Sequence, residues 1–263
     1  MADSEYEDIL YEVRNGVAWI TINRPEKMNA FRGVTCDELI RAFNRAGYDR
    51  GVGAIVLAGA GDRAFCTGGD QSAHEGNYDG RGTVGLPMEE LHTVIRDVPK
   101  PVIARVQGYA IGGGNVLATI CDLTICSEKA IFGQVGPTMG SVDPGYGTAF
   151  LARVVGEKKA REIWYMCRRY SGPEAVEMGL ANKCVPHDEL DAEVQRWGEE
   201  LCMRSPTAIA IAKRSFNMDT AHQAGIAGLG MYALKLYYDT EESREGVNAL
   251  KEKRKPDFRR FAK

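Results

Sequence analysis

The stretch KPVIARVQGYAIGGGNVLATICDLTICSEKAIFGQ, residues 100–134, decides how the chain folds. It begins as a strand, KPVIARV, and crosses three consecutive glycines at 112–114. From Asn115 it reads as a helix running into a further strand. Strands alternating with helices predict a mostly parallel sheet joined by crossovers. The same pattern holds upstream. VAWITINRP (17–25) and VGAIVLAGAG (52–61) read as buried strands closed by turn residues. Between them, CDELIRAFNRAGYD (36–49) repeats Leu39, Ile40, Phe43 and Ala46 at helical spacing. Beyond Val154 the helical pattern takes over, in EKKAREIWYMCRRY, PEAVEMGLAN, ELDAEVQRWGEELCMRS, PTAIAIAKRSFNM and 221–253. The expectation is an α/β chain with a sheet-bearing core over 1–200 and a helical region over 201–263. No internal repeat is visible in the sequence.

A chain of 263 residues suits one large domain. Its net charge of -3 offers no general attraction to nucleic acid. No apolar run approaches the roughly 20 residues of a membrane span. The acidic start MADSEYEDILYE lacks the basic-then-apolar order of a signal peptide, so a cytoplasmic location is expected. The seven cysteines are scattered without a C-x-x-C pair, which predicts reduced thiols and no zinc site. The histidines form no HExxH pair, and no metal is expected.

Two glycine sites carry candidate chemistry. AFCTGGD (64–70) and GYAIGGGNV (108–116) each follow a predicted strand. Each places consecutive glycines where a backbone N–H could point into a pocket. The second opens a helix, whose N-terminus has free N–H donors and a positive dipole end suited to a developing negative charge. No Lys-Ser/Thr follows the glycines and no G-x-G-x-x-G occurs, so phosphate-loop chemistry is excluded. FGQVGPTMGSVDPGYGTAF (132–150) packs five glycines and two prolines around a single acid, Asp143. HEGNYDGRGTVGLPM (74–88) is Gly-rich and weakly periodic, the pattern of a functional loop.

NRPEKMNAF, AFCTGGD, GYAIGGGNVLATICDLTI and the loop before LARVVG resemble the crotonase (enoyl-CoA hydratase/isomerase) superfamily along nearly the whole chain. The resemblance implies repeated ββα units in a spiral core, a C-terminal helical trimerisation or lid region, acyl-CoA substrates and a homotrimer or homohexamer. It implies an oxyanion hole made by the N–H groups of Gly69 and Gly113. By position it places Lys27, Met28 and Ala64 near the CoA nucleotide. Gly68, Asp70, Gln71, Tyr78, Gly112, Gln134 and Gly136 fall along the rest of the substrate. Coenzyme A is then part of the substrate, and no separate cofactor is expected.

Fold alone does not name the reaction. Enoyl-CoA hydratases of this superfamily use two glutamates, at positions held here by Val116 and Gly136. Neither can move a proton, which disfavours double-bond hydration. GGDQ, AIFGQ, GSVDPGYGTAFLARVVGEKKAREIWYMCRRYS, MGLAN and EGVNALKEKRKPDF are similar to the naphthoate synthase-like branch. That likeness implies Asp143, Ser141 and Tyr238 as catalytic residues. RNGVAWITINRPEKMNAFRG and AHQAGIAGLGMYALKLYYDTEESREG are similar, within the branch, to 2-ketocyclohexanecarboxyl-CoA hydrolases. This implies hydrolytic ring opening of a cyclic β-keto thioester to pimeloyl-CoA, in anaerobic benzoate and cyclohexanecarboxylate degradation. The alternative is the synthase direction, forming 1,4-dihydroxy-2-naphthoyl-CoA. Some synthases bind bicarbonate beside the position of Gly136. Val135 removes a hydroxyl from that run, so the space is expected to admit the hydrolytic water. The basic run KEKRKPDFRR is expected either at CoA phosphates or as a solvated helix end.

Overall fold

The computed structural model describes residues 5–71, 78 and 80–262. The chain opens with β1 (Ile9–Arg14), β2 (Val17–Ile22) and the helix α1 (Gly33–Tyr48). A strand–strand–helix unit then occurs three times. The first is β3 (Ala54–Gly59), β4 (Ala64–Cys66) and α2 (Met88–Asp97); the second is β5 (Val102–Val106), β6 (Tyr109–Ile111) and α3 (Gly113–Ile120). The third is β7 (Leu123–Ser127), β8 (Ile131–Gly133) and the short α4 (Gly136–Met139). A π-helical turn (Tyr146–Phe150), α5 (Leu151–Val155), α6 (Glu157–Met166), β9 (Arg169–Ser171), α7 (Gly172–Glu177) and β10 (Lys183–Val185) follow. The chain ends in α8 (Leu190–Cys202), α9 (Pro206–Met218), α10 (His222–Tyr238) and α11 (Glu241–Lys251).

The first strand of each unit joins a six-stranded sheet, ordered β1-β2-β3-β5-β7-β10. The second joins a four-stranded sheet, ordered β4-β6-β8-β9. All neighbours run parallel except β1 with β2 and β8 with β9. The large sheet is covered on both faces, which is why its strands read as continuous apolar runs. Val56, Ile103 and Ile125 pack against Leu190 and Val194 of α8. Ile55, Leu57, Val102 and Ala104 belong to the other core, with Leu39 and Phe43 of α1 and Leu91 and Ile95 of α2.

The mostly parallel α/β architecture with repeated strand–strand–helix units is the expected one, but several strands were not read from the sequence. KPVIARV is β5 as expected, and a separate strand that was not read, β6, follows it in the other sheet before the glycines. The break is at Gln107–Gly108. Gln107 is fully buried, and its Nε2 donates to the carbonyls of Gly59 (2.8 Å), Gly61 (3.0 Å) and Ala64 (2.6 Å). A Cβ at Gly108 would lie 2.2 Å from the Arg63 oxygen. One side chain thus fastens the turn of the second unit to the turn of the first. The repeat is therefore structural, although no repeat shows in the sequence. Finally, β9 and β10 were absent from the reading. Each is three residues long, too short for a period-2 pattern to stand out. The predicted loop 74–88 falls partly at 74–77 and 79, outside the described residues. No described helix is long and apolar enough to cross a membrane.

Gln107→Leu removes the donor shared by three buried carbonyls. It should lower the unfolding free energy by about 2–4 kcal/mol in urea titration. An unchanged midpoint would show that this tie carries no weight.

Candidate active site

Three adjacent parallel strands of the small sheet, β4, β6 and β8, end on the same side. Their carboxyl ends release Gly68–Gly69, Gly112–Gly113 and Gln134–Gly136 into one cavity of about 220 Å³. Carboxyl ends of parallel strands are where such folds form sites. Gly69 bridges to Phe31: Phe31 N–H donates to Gly68 O, and Asp70 N–H donates to Phe31 O, each at 2.8 Å. This pairing turns the Gly69 N–H away from the bridge. Gly113 is the first residue of α3, so its N–H has no acceptor within the helix. Neither N–H finds a protein acceptor among the described residues. Glycine is required at both stations. A Cβ at Gly69 would lie 2.2 Å from the Tyr78 hydroxyl, and one at Gly113 would lie 2.7 Å from Phe31 Cζ.

Two of the glycines of 132–150, Gly140 and Gly145, are contact points for the C-terminal helices. A Cβ at Gly140 would lie 2.1 Å from Ser243 O on α11, and one at Gly145 would lie 2.8 Å from Ala227 on α10. Gly230 of α10 receives Pro144 in the same way. This close fit seats α10 on the loop and brings Tyr238 to Ser141, whose hydroxyls share a hydrogen bond of 2.8 Å. Asp143 faces the same cavity and accepts from Gly147 N–H at 2.7 Å, closing the start of the π-helical turn. Trp164 Nε1–H donates to Gly147 O from the other side.

Charge in the cavity follows from burial. Asp143 is half-buried in the cavity wall, and lost hydration raises its pKa from 3.8 to about 7. The Gly147 N–H opposes that rise, and the charge of Glu89 adds to it. Burial also pushes up Tyr238, partly offset by Ser141 and reinforced by Asp143. Tyr78 is raised by burial and by Tyr238, and Gln71 Nε2 donates to its hydroxyl at 3.1 Å. Near neutral pH the site therefore holds two protonated phenols and one carboxyl poised between its two states. Gln134 is 1% exposed, lines the cavity, and has no partner among the described residues for either side-chain polar atom.

Of the predicted site residues, Gly68, Gly69, Gln71, Tyr78, Gly112, Gly113, Gln134, Gly136, Ser141, Asp143 and Tyr238 line this cavity. Four do not. Asp70 is buried in an ion pair with Arg24 at 2.8 Å. The Ala64 side chain is enclosed in β4. Lys27 and Met28 form the turn after Pro25, which borders the site through Thr67 Oγ1–H donating to Met28 O at 3.3 Å. Gly136 lines the cavity, but the position its side chain would take is occupied. A Cβ there would lie 2.3 Å from Ser141 O and 2.7 Å from Trp164 Cζ3, so room for a water lies in the cavity that Gly136 borders. Val116 is buried and does not line the cavity. Within the basic C-terminal run, Arg254 and Arg260 are held by Glu245 at 3.0 and 3.1 Å. Trp164, Met88, Met231 and Leu234 also line the cavity. Nothing in their sequence context distinguishes them from ordinary core residues.

Residues 12–260 match the family Enoyl-CoA hydratase/isomerase. The fold is shared with an enoyl-CoA hydratase from Mycobacterium avium subsp. paratuberculosis K-10, with TM-score 0.85 and 27% identity over 96% of this chain and 99% of that one. A carnitinyl-CoA hydratase from Mycobacterium avium gives TM-score 0.85 and 27% identity, covering 95% and 97%. An enoyl-CoA hydratase/carnithine racemase from Magnetospirillum magneticum gives 0.76 and 30%, covering 97% and 96%.

The folded chain keeps the Asp143 proton up to about pH 7, whereas an unfolded aspartate releases it near 3.8. Raising the pH across that window therefore costs stability. Asp143→Asn should be more stable than the parent by roughly 1–3 kcal/mol at pH 8, with the gain shrinking towards pH 4. Thermal unfolding at both pH values checks this; a gain independent of pH would remove the displaced titration.

Proposed function

The chain belongs to the enoyl-CoA hydratase/isomerase (crotonase) family of enzymes acting on CoA thioesters, and we propose that its reaction is the hydrolytic ring opening of a cyclic β-keto acyl-CoA. The substrate in this reading is 2-ketocyclohexane-1-carboxyl-CoA and the product pimeloyl-CoA. One observation carries it. The cavity that holds the free N–H groups of Gly69 and Gly113 also holds Asp143, displaced to about 7, and the Ser141–Tyr238 pair. The positions of the hydratase glutamates hold Val116 and Gly136.

The thioester oxygen lies between the Gly69 and Gly113 N–H groups. Asp143 takes a proton from water as the water oxygen bonds to the ring ketone carbon. The side-chain amide of Gln134, without a partner among the described residues, is the group that holds this water. The tetrahedral adduct collapses by breaking the bond between the former ketone carbon and Cα. That electron pair becomes a thioester enolate, whose oxygen is held by the two N–H donors; each such donor is worth about 10²–10³ in rate. Tyr238, or Asp143 carrying its new proton, then protonates Cα. Ser141 acts through Tyr238, since its hydroxyl bonds there rather than to Asp143. Lys27 and Met28 border the route for CoA.

The synthase direction uses the same groups. Both directions place one free carboxylate in this cavity, on the substrate of the synthase and on the product of the hydrolase, and among the described residues no Lys, Arg or His lines it. The apolar outward positions Ile226, Leu229, Tyr232 and Leu236 of α10 support the homotrimer or homohexamer reading, with 201–263 as the assembling region.

Incubation with 2-ketocyclohexanecarboxyl-CoA and separately with o-succinylbenzoyl-CoA, followed by mass spectrometry, tests this. The first should gain one water and the second remain unchanged; loss of water from the second would make the chain a naphthoate synthase. On the first substrate, Asp143→Asn should lower kcat by about 10²–10⁴ with little change in KM. Near-normal turnover would remove Asp143 from the chemistry.

A further inference from the structure

Arg96 lies on the inner side of α2 and is only 8% exposed. Its Nη2 donates to Thr220 Oγ1 at 2.7 Å, and its guanidinium stacks on Phe150 at 4.4 Å and on Tyr146 at 5.5 Å. No carboxylate pairs with it among the described residues. The acids nearby are already engaged: Asp122 with Lys213 at 2.7 Å, Asp97 with Arg214 at 3.0 Å, and Asp219 with Arg153. Arg96 thus has ring and hydroxyl contacts and the more distant charges of Asp122 and Asp97, but no direct ion pair among the described residues. Arginine is rarely buried this far without an acid, because the lost hydration is costly.

Arg96 opens onto a cavity of about 520 Å³ that shares no lining residue with the catalytic one. Its apolar walls include Phe150, Val154, Leu180, Ile209 and Phe216, and the pairs Asp122–Lys213 and Asp219–Arg153 also line it, leaving Arg96 as the cation without a paired acid among the described residues. We propose that this cavity binds an apolar monocarboxylate, whose headgroup pairs with the Arg96 guanidinium and whose hydrocarbon body lies along those walls. Charge complementarity selects the headgroup, and the lining selects the body. An occupant would touch one side of the π-helical turn Tyr146–Phe150. Gly147, in that same turn, donates to Asp143. The site is thus one turn removed from the proposed general base.

Hexanoate and neutral 1-hexanol are suitable probes, titrated calorimetrically into the full-length protein. Hexanoate should bind saturably, and hexanol at least about ten-fold more weakly. Arg96→Met should weaken hexanoate about ten-fold or more. Ile209→Asp places a like charge in the groove while leaving Arg96 untouched, and should weaken it similarly; it decides the matter if Arg96→Met does not fold. Asp143→Asn should bind hexanoate as the parent does. The proposal fails if hexanoate does not bind, as when a second copy covers the groove. It also fails if Ile209→Asp and a folded Arg96→Met bind normally, or if Asp143→Asn abolishes binding and so places the probe in the catalytic cavity.

Discussion

A Cβ at Gly114 would lie 1.9 Å from the Cys66 oxygen, and one at Gly68 would lie 3.0 Å from the Gly113 nitrogen. Only bare backbone lets the end of β4 close on the start of α3 at this distance. The contact aims two unbonded N–H groups into one cavity, and the parallel order β4-β6-β8 supplies the third wall at the same sheet end. Any side chain at Gly114 must push α3 away from β4. The buried Gln107, bonded to three carbonyls of the β3–β4 turn, holds the two units in the register this closure needs.

The second half of the site depends on a different physical balance. Asp143 has one backbone donor and, among the described residues, no cationic neighbour lining its cavity. A carboxylate so placed holds its proton near neutral pH, which is what a group that must both take and return a proton requires. Ser141 and Tyr238 are joined to it through packing rather than by direct bonds. Gly140, Gly145 and Gly230 let α10 and α11 lie flush on the loop, and that seating places the Tyr238 phenol.

Much of this was legible in the sequence. Periodicity located the large-sheet strands and α1, and paired glycines after strands marked both N–H stations. It failed where tertiary contacts override local pattern. VIARVQGYAI hides its second strand, β6, because its turn residue, Gln107, is buried as deeply as the valines around it. Asp70 stands beside the glycines of the site, yet its carboxylate serves Arg24. Gly136 suggests vacant space at its own side-chain position only until Ser141 O and Trp164 are placed on it. Tyr238 was reached by resemblance alone, since nothing local separates it from Tyr237. Nor does local pattern show that Arg96 is buried without an acid, because pairing is a property of the folded surroundings.

Everything proposed for the chemistry turns on one carboxyl holding its proton abnormally tightly. Infrared titration of the substrate-free enzyme, taken as the difference between the parent and Asp143→Asn, reads that group directly. A carboxyl band that disappears with a midpoint near pH 7 is the predicted result. A midpoint near 4, the ordinary carboxylate range, would show a solvated Asp143 and contradict its role as the base that receives and returns the proton.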